Sequence, residues 1–148
     1  MKSWVKKLLL AVVVLAVIGV FVIWYLFNEK FTDTTKRDAA FTVDANSFLK
    51  EFQQSDSLAN IKYKEKIVTV NGIVSEIESM DSIVNIKMTD TATDAYVIFG
   101  FQNEQLVKVK TIKEGDKISV KGSCSGGSFS EILEVEAIDF KRCVINKQ

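Results

Sequence analysis

The sequence predicts a mainly β protein, a five-stranded Greek-key barrel with short N-terminal helices, carried behind one transmembrane helix. Three observations lead there. Residues 8–27 are twenty consecutive apolar residues without a charge. From Lys66 onward, hydrophobic and polar residues alternate at period two over five stretches, the mark of half-buried strands. A short helix-like segment separates the third stretch from the fourth.

The apolar run reads LLLAVVVLAVIGVFVIWYLF. At about 1.5 Å per residue it gives roughly 30 Å of helix, the thickness of a bilayer's hydrocarbon core. Trp24 and Tyr25 stand at its far end, where amphipathic rings favour the headgroup layer. A cleaved signal peptide shares the basic start, but its apolar region usually spans about 7–15 residues and ends in small residues. Here the run is longer and ends in WYLF, so an uncleaved anchor is expected. No cysteine lies near it to carry a lipid. Lys2, Lys6 and Lys7 precede the run without an acid, whereas Lys30, Lys36 and Arg37 follow it among Glu29, Asp33 and Asp38. The basic residues tie at three a side, but the undiluted leading lysines favour a cytoplasmic N-terminus. The expectation is a single-pass protein of the inner, cytoplasmic membrane, with residues 1–7 inside and the C-terminal domain extracytoplasmic (periplasmic).

Composition closes several functions. Beyond residue 30 there are 15 Lys+Arg (19 less Lys2, Lys6, Lys7 and Lys30) and 18 Asp+Glu (19 less Glu29), a net charge of −3. Sequence-independent grip on nucleic acid needs a positive surface, so nucleic acid is an unlikely partner on this count. There is no histidine, which closes Ser-His-Asp and Cys-His catalysis and imidazole-dependent zinc sites. Proline is absent too, so turns rest on Gly, Asn, Asp and Ser.

Residues 28–42 read as a polar linker and 43–148 as the domain. Ala45, Phe48, Leu49 and Phe52 fall on one helical face, with Asp44 as N-cap, and a second helical stretch is expected at Ser57–Ile61. The first strand, KIVTVNGIVSEIES, carries Val68 and Val70 on one parity and Ile73 and Ile77 on the other, which predicts a bulge or bend at Asn71-Gly72. Val84, Ile86 and Met88 define the second strand, and Val97, Phe99 and Phe101 one face of the third. NEQLVKVKTIKEG is the helix-like interruption, with Gly115 as its stop. Ile118 and Val120 mark a fourth strand broken by SGGS, and EILEVEAIDFKRCVI a fifth with a kink at Ala137-Ile138. Three strands, a connector and two strands, with a long bent first strand, is the pattern of the OB-fold; an open sheet covered by the first helix is the rival.

The stretch AxxFLKEFxxxxxLANIKYKEKIVTVNGIVSEI, followed by LxxxKTIKEGDKISVKGSCSGG and IDFKRCVI, resembles the tRNA_anti-like OB-fold family over about residues 45–145. The most specific elements are Tyr63-Lys64-x-Lys66 with Val70 and Gly72, and the G-D-x-x-x-V-K-G run that leads to Cys124. The resemblance implies an OB-fold in bacterial envelope proteins and lipoproteins of largely unassigned function. The chain departs from the lipoprotein members in having a helix where they have a lipidated cysteine. Haem chaperones of cytochrome c maturation also join one membrane helix to an exported OB domain, but they hold haem through a histidine that this chain lacks.

Chemistry-bearing residues are few. Cys124 and Cys143 are the only cysteines, and export permits either a disulfide or two separate thiols. Glu76 with Glu78, and Glu134 with Glu136, have the spacing of solvated strand faces rather than of an acid–base pair. The lysines of residues 62–66 read as a solvated turn, and GSCSGG lacks the lysine and spacing of a phosphate loop. No enzyme, cofactor or metal site is expected. OB-folds bind on the outer face of strands two and three, bordered by loops. That surface projects onto Asn85, Lys87, Tyr96 and Ile98, with Phe129 in the final loop, where Tyr96 and Phe129 could stack on a base or sugar. The expected function is a non-enzymatic binding or adaptor module with a protein, peptide or glycan partner; the alternative is single-stranded nucleic-acid binding at the envelope.

Overall fold

The computed structural model describes residues 3–27, 34–102 and 105–146. They divide into two units, with the boundary between Asp33 and Thr34. The first unit is helix α1, Ser3–Phe27, which starts five residues ahead of the apolar run and takes in Lys6 and Lys7. It is apolar on every side, with a mean hydropathy of 3.0 over its best window, and is the one helix among the described residues long and apolar enough to cross a membrane.

The second unit begins earlier than the sequence suggests. Thr34–Lys36 forms a single 3-10 turn with Thr34 buried, and strand β1, Phe41–Asp44, pairs in parallel with strand β2, Ile67–Ile73. Lys121 donates to the carbonyls of Thr35 and Arg37, both at 3.1 Å, and ties this segment down. The proposed linker 28–42 is therefore too long at its C-terminal end; residues 28–33 lie outside the described set.

Helix α2, Ala45–Gln54, starts where Asp44 Oδ2 accepts from the backbone N–H groups of Asn46 (3.1 Å) and Ser47 (3.4 Å), satisfying two donors the helix leaves unpaired. Its apolar stripe of Ala45, Phe48, Leu49 and Phe52 is buried as the spacing predicts. Helix α3, Asp56–Tyr63, is capped by Ser55 and buries Ala59 and Tyr63. The Phe48 ring lies 5.1 Å from Phe52, 4.9 Å from Tyr63 and 5.8 Å from Phe140. Tyr63 turns its hydroxyl outward, donating to the Glu51 carboxylate at 2.9–3.0 Å, and Lys62 closes on the same group at 2.8 Å. The hydrogen bond from Lys62 holds the Glu51 carboxyl below its usual range.

The sheet continues through β3 (Glu76–Met80), β4 (Ile83–Thr89), β5 (Tyr96–Gln102), β6 (Lys117–Ser130) and β7 (Val135–Asn146), with a one-turn helix α4, Leu106–Val109, after β5. Its seven strands run in the order β1-β2-β6-β7-β5-β4-β3, with β1–β2 and β5–β7 parallel and the other pairs antiparallel. Five strands were expected; β1 is an addition, and the long first strand is divided into β2 and β3.

Three local expectations need correction. The break in the first strand falls at Val74-Ser75, where Val74 N–H donates to Asp116 and Ser75 N–H to Lys87. Core parity runs on through Gly72 to buried Val74, and Ile73 is exposed. Gly72 serves a close approach instead: a Cβ there would sit 2.7 Å from Ala45 Cβ and from Met88 Sδ. SGGS does not end the fourth strand, because β6 passes straight through it to Ser130 and turns only at residues 131–134. The irregularities of the β6–β7 ladder lie at Lys121/Ser123 and Cys124/Gly126, not at Ala137-Ile138, which pair regularly with Ser128 and Gly127.

Gly72→Ala forces a methyl group between α2 and Met88, and should cost about 1–3 kcal/mol in a denaturant titration. A loss below about 0.5 kcal/mol would show that α2 does not pack this tightly on β2.

Candidate functional site

Alternation in β4 and β5 separates two faces. Val84, Ile86 and Met88 with Val97, Phe99 and Phe101 turn into the core, so Asn85, Lys87, Tyr96 and Ile98 turn outward, each half-buried. Lys87 is directly opposite Ile98 on one side and Glu76 on the other; Asn85 is opposite Glu78, and Ile98 is flanked by Asp139 of β7. Four of the five residues singled out by sequence therefore share one surface.

Lys87 is fixed at its centre. Its Nζ lies 2.5 Å from Glu78 Oε1, 3.1 Å from Glu76 Oε2 and 5.6 Å from the centroid of the Tyr96 ring. The hydrogen bond to Glu78 is the largest influence raising its pKa, followed in the same direction by Glu76. The charge is thus already matched by two carboxylates. Beside that matched lysine the surface offers an aromatic ring, an amide and an aliphatic side chain. No group of three or more His, Cys, Asp or Glu among the described residues could hold a metal ion.

Phe129 does not belong to this surface. It is 55% exposed and sits on the β6–β7 hairpin directly opposite Glu136. Antiparallel partners share a face, and Glu136 faces α2, so Phe129 lies on the α2–α3 side. The reason is register: the outward positions of β7 next to β5 are Ala137 and Asp139, one residue out of phase with Glu136.

Glu136 is the group that period-two reasoning misplaced. Expected in a solvated row with Glu134, it is only 5% exposed, and its Oε1 has no hydrogen-bond partner. Burial, and secondarily the nearby Asp56 carboxylate, push its pKa up to about 7. The alternation of β7 carries the signal, because Glu136 has the parity of buried Ile138 and Phe140, and grouping it with Glu134 passed over that phase.

The cysteines are free and buried. Cys124 is opposite Phe140, three residues short of Cys143, and Cys143 lies against Gly122, so the ladder register does not align the two sulfurs. Burial raises the Cys124 thiol to about 11 and Cys143 further still, which leaves both un-ionised and unreactive at neutral pH. The native protein should take up no alkylating reagent over minutes at pH 7.5 and two equivalents after denaturation without reductant, read by intact mass. A native mass that gains two equivalents at once would contradict the burial, and a denatured mass that gains none would reveal a disulfide.

A cleft of about 520 Å³ opens where α2 begins beside the Val74-Ser75 break, with Asn46, Ser75, Thr89, Asp90 and Lys117 among its walls. A second of similar volume, with Val107, Ile112, Ile118 and Ile145 among its walls, lies beside α4. Neither was foreseen from sequence, since each is assembled from three or more separate segments.

Comparison with known proteins follows the fold. A candidate nucleic acid-binding lipoprotein from Klebsiella pneumoniae subsp. pneumoniae has a similar structure, with TM-score 0.57 at 20% identity, covering 71% of this chain and 91% of that one. An asparaginyl-tRNA synthetase from Entamoeba histolytica (TM-score 0.38, 15% identity, 57% of this chain and 21% of that one) and a candidate aspartyl-tRNA synthetase from Leishmania major Friedlin (0.44, 8%, 79% and 22%) are more distant. No curated protein matches the sequence. The tRNA_anti-like family matches residues 1–135, apolar helix included, and the chain belongs to that family.

Proposed function

We propose that this chain is a non-enzymatic binding module anchored in the bacterial envelope membrane by α1, with its partner seated on the outer face of β4 and β5. A helix that is apolar all round needs either a large protein core or lipid around it, and every side chain described in α1 is exposed. The lipoprotein relative supports an envelope location, and the leading lysines support an exported domain. We read β2 and β3 as the two halves of one bent strand. Val74 bonds toward β6 and the next residue toward β4, so this strand joins the two sides of the sheet and makes a five-strand barrel of the OB type.

The observation that carries the functional reading is the double engagement of Lys87 by Glu76 and Glu78 beneath Tyr96. With Lys87 matched by Glu76 and Glu78, and Asp139 and Lys141 following on β7, the face carries three acids against two lysines and suits a neutral or basic polypeptide better than a phosphodiester. The full-length chain in nanodiscs, with a photo-crosslinker in place of Tyr96, should capture a polypeptide, and Ile98→Asp should abolish the adduct.

The second reading is single-stranded nucleic acid. The acidic balance of residues 31–148 speaks against it, but the Klebsiella relative is named for nucleic-acid binding, and Tyr96 is a stacking surface. Oligo-dT should bind no tighter than about 10⁻⁴ M at physiological salt, the weak end of nonspecific binding. Tighter binding that falls steeply with salt and is lost in Lys87→Ala would overturn the polypeptide reading in favour of this one.

A further inference from the structure

Among the described residues of the domain, Glu136 is the only Asp, Glu, Lys or Arg that is buried, and no ion pair among the described residues involves it. It lies under the stem of the β6–β7 hairpin. A Cβ on Gly127 would come within 2.9 Å of Glu136 Oε1 and 2.5 Å of the Phe52 ring, so the hairpin backbone is pressed flat onto both. Asn60 of α3 grips the same residue: its Nδ2 donates to Gly127 O at 3.1 Å, and Gly127 N–H donates to its Oδ1 at 2.9 Å. Asn60 Nδ2 also donates to Asp56, which holds that carboxylate on the Glu136 side of the helix.

The charged groups around Glu136 are few. Helix α3 brings Asp56, and just beyond its end the stem of Lys64 flanks Gly126. The facing stretch of β6, Gly126 to Phe129, carries no charge, and α2 presents Phe52. On β7, Asp139 and, in the turn before it, Glu134 are exposed. An ionised Glu136 would therefore be a buried, unpaired negative charge beside another carboxylate, the least favourable state for such a group.

We propose that Glu136 is a proton-operated latch for the β6–β7 hairpin: the neutral carboxyl lets the stem seat on α2 and α3, and loss of the proton drives the new charge toward water and lifts the stem from Asn60. The hairpin carries Phe129, Ile132 and Leu133, which are 55%, 93% and 65% exposed, so the latch sets the position of an apolar tip. The direction follows from linkage. The folded-state pKa, about 7, is above the ordinary carboxyl value of 4.5. Stability supplied by the neutral form is therefore complete below 4.5 and lost as pH rises through about 7. The hairpin is closed in acid and loosened above neutrality.

The test is a pH titration by NMR of the full-length chain in detergent micelles, which requires no partner and so stands apart from the binding proposal. The Glu136 carboxyl carbon should titrate with a midpoint near 7. The amides of Gly126, Gly127 and Ser128 and the side-chain NH₂ of Asn60 should follow with the same midpoint. Glu136→Gln should remove the transition from all of them. Asp56→Asn, which keeps the latch residue, should lower the carboxyl and hairpin midpoints together, and it serves equally where the first variant folds poorly. A Glu136 midpoint near 4.5, a hairpin transition that survives Glu136→Gln, or hairpin and carboxyl midpoints that separate in Asp56→Asn would each overturn the latch.

Discussion

The seating of α2 on the sheet is the constraint from which most of the domain follows. Two glycines on different strands make room for it. A side chain at Gly72 of β2 would strike Ala45 at the start of the helix, and one at Gly127 of β6 would strike Phe52 in its third turn. Phe48, Leu49 and Phe52 enter the space so provided, and each contributes on the order of 1.5–3 kcal/mol by leaving water. Tyr63 closes the cluster from α3 because Glu51 takes its hydroxyl, so the phenol oxygen is not stranded in the core. The helices thereby cover one surface, leaving the outer face of β4 and β5 on another.

Carboxylates of similar sequence context meet opposite fates in this arrangement. Glu76 and Glu78 stand on β3 next to β4, where Lys87 reaches both, and they remain partly open to solvent. Glu136 has the same alternating apolar neighbours, yet α2 and α3 close over it, and no cation accompanies them. Glu76 and Glu78 share one lysine, whereas Glu136 has no ion pair among the described residues. The strands set the difference: Glu136 shares the parity of buried Ile138 and Phe140, whereas Glu76 and Glu78 take the parity opposite to core-packed Ile77.

Much of the architecture was legible because it depends on local periodicity. The stripe Ala45, Phe48, Leu49 and Phe52, the Asp44 cap, and the alternation of Val84-Ile86-Met88 and Val97-Phe99-Phe101 each involve residues within one element, whose geometry sets which side chains share a face. The same rule placed Asn85, Lys87, Tyr96 and Ile98 together. It failed where a residue's role depends on a distant segment. Gly72 looked like the site of a bend because a glycine between two hydrophobic parities is ambiguous, and only Ala45 and Met88 show that it is a contact. SGGS looked like a strand end because glycines often are, but here they let β6 run beneath α3 and Phe52.

The sequence by itself determined the apolar helix, the mainly β domain, the absence of histidine chemistry and the four residues of the outer face, since all are matters of composition or of period within one segment. Only the tertiary structure decided that β1 joins the sheet, that Lys87 is matched by two acids, that Phe129 parts company with Tyr96, and that Phe52 and Asn60 press the hairpin over Glu136. Each of these depends on which strands become neighbours and which helix lies over them. Pairing and coverage arise from contacts between residues far apart in the chain, and no local pattern encodes them.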